Sequence, residues 1–131
     1  MKNSKLSTLE KKLDTIFSQF IRLRDSRDGF VKCVSCPNII HWKEAHCCHF
    51  VRRSKRATRW DETNCYAGCN YCNTYNEGMH YYHLAKHINK KHGEGYTDKL
   101  IQKGNKDVKI SRLEINELIE IYKLKVAELN K

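Results

Sequence analysis

Two Cys-x-x-Cys pairs constrain the fold of this chain more than any other feature. They are Cys33/Cys36 and Cys69/Cys72, and residues 37–68 lie between them. Two thiolates at this spacing can lie on one tight turn and share an ion, and two such turns complete a tetrahedral Cys₄ zinc site. A site of this kind is closed to water and substrate, so we expect it to be structural. It would hold the segment between the pairs as one compact unit.

Metal binding explains the cysteines better than disulfides do. The chain has seven cysteines, an odd number. No apolar run is long enough to span a membrane, and the N-terminal residues lack the hydrophobic stretch of a secretory signal. We therefore expect a cytoplasmic protein, whose thiols stay reduced. Cys65 is then most simply a small buried residue, and the sequence leaves the roles of Cys47 and Cys48 open.

The charge of the chain indicates a polyanionic partner. Its 131 residues fit one domain and include 25 Lys and Arg against 15 Asp and Glu, a formal net charge of +10. This excess is larger than solubility requires and is typical of nucleic-acid-binding proteins. No membrane partner is expected.

Hydrophobic periodicity predicts a small α+β fold. Residues 6–25 and the last segment have apolar residues at helical spacing, and Ser111 followed by Glu114 predicts a capping box at the start of the last helix. The apolar stripe of that last helix would pack on the domain core or on a second copy. Other predicted helices are 70–91 and 97–103, and predicted strands are 30–32, 38–42 and 46–53. We expect an N-terminal helix (1–29), a central core (30–92) and a C-terminal helical segment (93–131).

The segment between the cysteine pairs and the residue that follows Cys72 carry the chemically active side chains. Between the pairs these are His46, His49, Asn64 and the basic loop of Arg52, Arg53, Lys55, Arg56 and Arg59, and directly after Cys72 it is Asn73. Phosphodiester hydrolysis needs a base to activate water, and histidine is the side chain best matched to neutral pH. It also needs a divalent cation to offset charge on the leaving oxygen, and arginines to grip the flanking phosphates. The segment therefore suits hydrolysis of DNA.

These residues resemble the HNH (ββα-metal) endonucleases, and within them the NinG (Rap) recombination proteins of lambdoid phages. The likeness covers roughly residues 14–77. It is carried by the stretches FIRLRDSRDGFVKCVSC, HF, TRWDETN and CNYCN. Phage endonuclease VII is similar in plan but more distant. The resemblance implies a zinc-containing ββα-metal core with flanking helices, in the host cytoplasm if a phage encodes it.

The resemblance also implies a role for each matching residue. His49 matches the general base, and Asn64 matches the central asparagine that orients this histidine or its loop. Asn73 follows the last zinc cysteine and matches a ligand of the catalytic Mg²⁺ or Mn²⁺ ion. The four paired cysteines match the ligands of the structural Zn²⁺ ion.

One position departs from the family pattern. The family usually has an acidic second metal ligand just before the base, whereas this chain has His46 and Cys48 there. His46 and Cys48 share a face of a strand, so either could reach the ion, and Glu44 is the nearest upstream carboxylate. His46 is our first choice for the ligand. A nitrogen or sulfur ligand would shift the metal preference toward Mn²⁺, Zn²⁺ or Ni²⁺.

We therefore expect an endonuclease that acts on branched double-stranded DNA such as Holliday junctions. Symmetric cutting of a junction needs two active sites, which predicts a homodimer. The alternative is a zinc-ribbon module that binds nucleic acid without cutting it, but this leaves His49 and Asn73 without a role. A redox sensor using Cys47 and Cys48 is weaker, because adjacent cysteines pair only through a strained ring.

Overall fold

Helices and two small antiparallel sheets make up residues 5–131, the part of the chain that the computed structural model describes. The helices and strands, in chain order, are α1 (Leu6–Arg24), β1 (Ser26–Arg27), β2 (Phe30–Lys32), β3 (Ile39–His41), β4 (His46–His49), α2 (Arg56–Arg59), β5 (Cys65–Gly68), α3 (Asn70–Tyr75), α4 (Glu77–His92), α5 (Tyr96–Gly104) and α6 (Arg112–Leu129). The small α+β class predicted from the sequence is confirmed.

The central hairpin of β4 and β5 lies between two helical layers. The strands are antiparallel, with His46 opposite Gly68 and His49 opposite Cys65. Because successive side chains point to opposite faces of a strand, Cys65 packs among residues of α1 and α6, while Tyr66 packs among residues of α4 and α5. The hairpin thus connects two separate hydrophobic clusters. A second sheet, β1–β2–β3, lies beside it.

The first and last helices form one apolar layer. Leu13, Phe17 and Ile21 of α1 pack against Ile115 and Tyr122 of α6. Both stripes recur at helical spacing, which is why the sequence predicts them well. The capping box is present, since Ser111 accepts from the backbone N–H of Glu114, whose carboxylate accepts from the N–H of Ser111. The stripe of α6 therefore packs within the chain.

Element boundaries differ from the predictions at two places. The helix predicted over residues 70–91 is two helices, α3 and α4, separated at Asn76, whose φ of −131° and ψ of 44° are not helical. The strand predicted over 46–53 ends at His49, because the backbone then turns away into the basic loop. In chain order β4 is followed by α2, β5 and α3, and the ββα-metal core that the resemblance implies stays a prediction. Within residues 5–131, no helix has both the length and the apolar character needed to cross a membrane.

Candidate active site and zinc centre

The four paired cysteines converge as predicted. The sulfur atoms of Cys33, Cys36, Cys69 and Cys72 all lie within 4.8 Å of one another. The Sγ atoms of Cys36 and Cys69 are 3.7 Å apart. Two sulfurs bound at 2.3 Å to a tetrahedral zinc ion would lie about 3.8 Å apart. The cluster can therefore hold one zinc ion between the start of the 33–72 segment and its end.

Backbone N–H groups favour a thiolate at two of the four cysteines. The N–H groups of Ser35 and Cys69 point at Cys33 Sγ, at 3.4 and 3.2 Å. Burial opposes ionisation of Cys69, but the backbone N–H of Cys72 and the neighbouring thiols outweigh it and lower the pKa of Cys69 to about 7, whereas burial raises the pKa of Cys36 and of Cys72. Thiolate is the form that binds zinc, so the donor set fits this metal.

A cleft of about 610 Å³ opens between α1 and the hairpin, and most of the predicted chemical groups lie on it. Its lining includes His46 and His49 of β4, Asn73 of α3, and Arg52 and Arg53 of the basic loop. The N-terminal end of α3 starts at the zinc cysteine Cys69, so the cluster fixes the position of Asn73 relative to β4. The separate parts of the predicted site thus face one common space.

His49 has one fixed and one free ring nitrogen. Its Nε2 lies 2.9 Å from the carbonyl oxygen of Arg59. A carbonyl can only accept a hydrogen bond, so Nε2 carries the proton and Nδ1 keeps its lone pair. Burial lowers the pKa of His49, partly offset by its hydrogen bond to Arg59. The ring is therefore neutral at physiological pH and can accept a proton at Nδ1.

His46 and Asn73 meet on the same cleft. Asn73 Nδ2 lies 3.2 Å from His46 Nδ1, so the amide donates and the lone pair of the imidazole faces Asn73. Of the three side chains considered as second metal ligand, only His46 lines the cleft. Cys48 is buried in the cluster beneath α4, and Glu44 is exposed in a short 3₁₀ helix away from the cleft. If the Asn73 amide is turned over so that Oδ1 takes the place of Nδ2, this amide oxygen and the ring nitrogen of His46 could hold a divalent cation.

The Asn64 side chain hydrogen-bonds to the backbone of the basic loop and not to His49. It is fully buried, and its Oδ1 accepts from the backbone N–H of Val51 at 2.8 Å. Its Nδ2 donates to the carbonyls of Val51 and Thr58, at 3.0 and 3.2 Å. These bonds close the basic loop on itself. The carbonyl of Arg59, which orients His49, follows directly after this closed loop.

The five predicted DNA-binding side chains fall into two groups. Arg52 and Arg53 are exposed on the cleft, and Lys55 is exposed nearby. Arg56 and Arg59 already have partners: Arg56 Nε lies 2.7 Å from Glu10 and Arg59 Nη2 lies 2.6 Å from Asp14, both on α1. DNA contact by these last two stays a prediction, and the structure gives them a role in fixing the loop to α1.

Sequence reasoning missed several residues of the site. Asp14 and Arg22 of α1 also line the cleft. On the other side of His49 and Asn73, a second cavity of about 490 Å³ is lined by Glu77 and His80. Asp14 could have been noticed in the sequence, because it is an acidic residue beside the apolar stripe of α1. The others could not be found from the sequence, because their placement depends on how the helices dock.

Comparison with known proteins gives one match. No curated protein and no solved structure matched this chain. The sequence of residues 1–131 matches the family described as bacteriophage lambda NinG protein, a phage family related to recombination. Because the match spans the whole chain, including the cysteine pairs and the cleft residues, the chain belongs to the bacteriophage lambda NinG protein family.

Proposed function

We propose that this protein is a metal-dependent endonuclease of the HNH type that hydrolyses phosphodiester bonds in branched recombination intermediates such as Holliday junctions. One observation carries the proposal. His49, whose Nδ1 keeps its lone pair, and the His46–Asn73 pair line one cleft, which exposed arginines also line. A proton acceptor, a cation-binding pair and phosphate-binding groups are the parts that this hydrolysis needs.

His49 acts as the general base. Its Nδ1 takes a proton from water while the water oxygen attacks the phosphorus and the bond from phosphorus to the 3′ oxygen breaks. The leaving 3′ oxygen takes a proton from solvent water, so the products are a 5′-phosphate and a 3′-hydroxyl. Arg59 acts as a positioning residue, because its carbonyl holds the proton of Nε2 and keeps Nδ1 available. Asn64 supports Arg59 by closing the preceding loop.

His46 and Asn73 hold the catalytic ion. When bound there, Mg²⁺ or Mn²⁺ would polarise the phosphate and offset the charge that develops on the leaving oxygen. A nitrogen ligand beside an amide oxygen favours Mn²⁺ more than an all-oxygen site does. The Cys₄ zinc site has a separate role, because a closed tetrahedral site offers no position to substrate.

The basic loop and the family support DNA as the substrate. Arg52 and Arg53 can contact backbone phosphates on either side of the scissile bond, and such contacts position a duplex without reading its sequence. Membership of the NinG family supports a recombination role, and branched DNA is the recombination substrate that a nuclease would process.

Symmetric cutting of a junction would require a homodimer. The inner face of α6 packs on α1, so the candidate interface is its outer face, where Leu113, Ile121 and Leu124 are exposed. Light scattering of the purified protein, alone and with a junction, would measure this oligomeric state.

Incubation with a synthetic four-way junction and a matched linear duplex tests the proposal. We expect metal-dependent nicking of the junction in Mg²⁺ or Mn²⁺ and none with chelator. His49→Ala should abolish cleavage while zinc content and junction binding stay normal. His83→Ala is the matched control, because His83 lies on α4 and lines neither the cleft nor the second cavity.

Two outcomes would contradict the nuclease. Cleavage by His49→Ala at the rate of the unmodified protein would show that His49 is not the base. Tight junction binding with no cleavage in either metal would favour the alternative, a zinc-containing module that binds nucleic acid without cutting it.

A further inference from the structure

A second group of metal-binding side chains lies beside the base. The sulfur atoms of Cys47 and Cys65 and one ring nitrogen of His49 all lie within 4.8 Å of one another. None of the three belongs to the Cys₄ cluster. Neither cysteine has a role in the hydrolysis proposed above.

The register of the hairpin explains why these three residues meet. Cys47 and His49 are two positions apart in β4, so their side chains share a face. Cys65 is the direct cross-strand partner of His49 in β5 and points to the same side. Facing pairs in an antiparallel ladder have Cβ atoms only about 5 Å apart. The backbone itself therefore holds the three ligands together.

We propose that Cys47, His49 and Cys65 form a binding site for a thiophilic divalent ion such as Zn²⁺, and that occupation of this site switches off the base. The ion displaces the protons of both thiols, which go to solvent, and the two thiolates neutralise its charge. A tetrahedral ion with these ligands would have sulfurs about 3.8 Å apart, within reach of small side-chain rotations.

Access and charge support this site. Cys47 and His49 line the cleft, so an ion can enter from solvent, and a Cys₂His set leaves the fourth position to water. Cys65 is fully buried. Arg24 donates to the carbonyl of Cys65 at 2.7 Å, and its positive charge partly offsets the burial that raises the pKa of the Cys65 thiol.

The inhibitory consequence rests on the proposed function. An ion on Nδ1 of His49 would occupy the lone pair that accepts the proton from water. An ion on Nε2 would break the bond to Arg59 that orients the ring. In either case hydrolysis loses its general base. Loss of a general base slows a reaction of this kind by about a hundredfold.

Metal binding is tested separately from activity. The full-length protein is first saturated at its Cys₄ site with Zn²⁺, in a non-thiol reductant, and Co²⁺ is then added. We expect one further ion per chain, with a thiolate-to-cobalt charge-transfer band. Cys47→Ala and Cys65→Ala should each lose the band. Cys48→Ala, which removes a neighbouring thiol outside the group, should keep it.

The proposal is overturned if the unmodified protein binds no further ion, if the band survives in Cys47→Ala and Cys65→Ala, or if it disappears in Cys48→Ala. Circular dichroism and retention of the structural zinc identify any variant that fails to fold. Alkylation of Cys47 in the unmodified protein then replaces that variant. Loss of the band on alkylation supports the site, and survival of the band overturns it.

Activity is measured in a second experiment, with Mg²⁺ present and each variant compared with its own zinc-free rate. One further equivalent of Zn²⁺ should slow the unmodified protein about a hundredfold and leave Cys65→Ala nearly unaffected. Equal inhibition of both proteins would overturn the switch. A protein without any cleavage would overturn the proposed function, while the cobalt measurement would still decide whether the metal site exists.

Discussion

Asp14 and Arg59 are joined at two points, with Arg59 Nε 3.0 Å from Oδ1 and Nη2 2.6 Å from Oδ2 of the carboxylate. Asp14 also accepts from the indole N–H of Trp60 at 3.0 Å. The backbone carbonyl of the same Arg59 accepts a hydrogen bond from the ring Nε2–H of His49. A carboxylate on α1 thus holds the residue whose backbone carbonyl orients the His49 ring.

This relationship predicts that Asp14→Asn impairs cleavage without impairing DNA affinity. Both side chains of the pair are largely buried, at 14% and 17% exposed, so its loss should lower the free energy of unfolding by about 2 kcal/mol. Urea unfolding and junction-binding measurements would separate the two effects. If Asp14→Asn weakened DNA binding and left stability intact, Arg59 would be a DNA ligand and not a positioning residue.

Arg52 and Arg53 should behave in the opposite way. They are exposed on the cleft, and the ion pair of Arg53 with Asp14 is a long one, at 3.9 Å. Each substitution to alanine should lower the slope of log affinity against log salt by about 1 and leave thermal unfolding unchanged. Lys123→Ala on α6, whose side chain pairs with Glu120, is the control. An unchanged slope in both arginine variants would place the DNA elsewhere.

Removal of zinc should unfold the central segment. Metal-binding free energy at a structural site of this kind is on the order of 10 kcal/mol and contributes directly to folding. We expect this site to contribute one zinc per chain in elemental analysis, apart from any ion at the Cys47–His49–Cys65 site. Cys36→Ser should lose this zinc and unfold at a lower temperature, whereas Cys48→Ser should keep it. Full retention of zinc by Cys36→Ser would contradict the Cys₄ assignment.

Asn64→Ala should loosen the basic loop. The fully buried Asn64 side chain makes three hydrogen bonds that the substitution removes, to the backbone N–H of Val51 and to the carbonyls of Val51 and Thr58. Three lost hydrogen bonds of this kind should cost about 3 kcal/mol. Faster amide exchange at Val51 would report the loop directly, and cleavage should fall with it. Protection at Val51 equal to that of the unmodified protein would show that another group closes the loop.

Features that depend on local spacing could be predicted from the sequence. The two cysteine pairs converge, and both terminal helices form where the apolar periodicity places them. His46 and Asn73 meet because each is close to a zinc cysteine. His46 pairs with Gly68, which precedes Cys69, and Asn73 directly follows Cys72. The positions of the two cysteine pairs in the sequence therefore predicted most of the site.

Features that depend on docking could not be predicted. Asp14 lies far from Arg59 in sequence, and only the packing of α1 on the loop brings the two together. The approach of Cys65 to Cys47 depends on strand register, and a shift of one residue would turn its side chain to the other face. A single sequence does not specify either.

The final prediction concerns the stability of the folded protein in acid and the part that Asp61 plays in it. The carboxylate of Asp61 caps the short 3₁₀ helix that ends at Asn64. It accepts from the backbone N–H of Thr63 at 2.9 Å and from Lys103 at 2.6 Å. Burial opposes its ionisation, but Lys103 and Thr63 outweigh burial and lower the pKa of Asp61 below its usual value. The folded state therefore binds this proton less readily than the unfolded state does.

The contribution of Asp61 to stability is thus present above the unfolded-state pKa, about 4, and is lost as the pH falls through the lower pKa of the folded state. Asp61→Asn should lower the free energy of unfolding by about 1 kcal/mol at neutral pH, and the difference should shrink as the pH falls below that value. Urea unfolding across this range measures it. Glu120→Gln, at an exposed pair with Lys123, should show little difference at any pH. A deficit in Asp61→Asn that stayed constant down to the acid end would mean that the side chain stabilises the turn through its shape and not its charge.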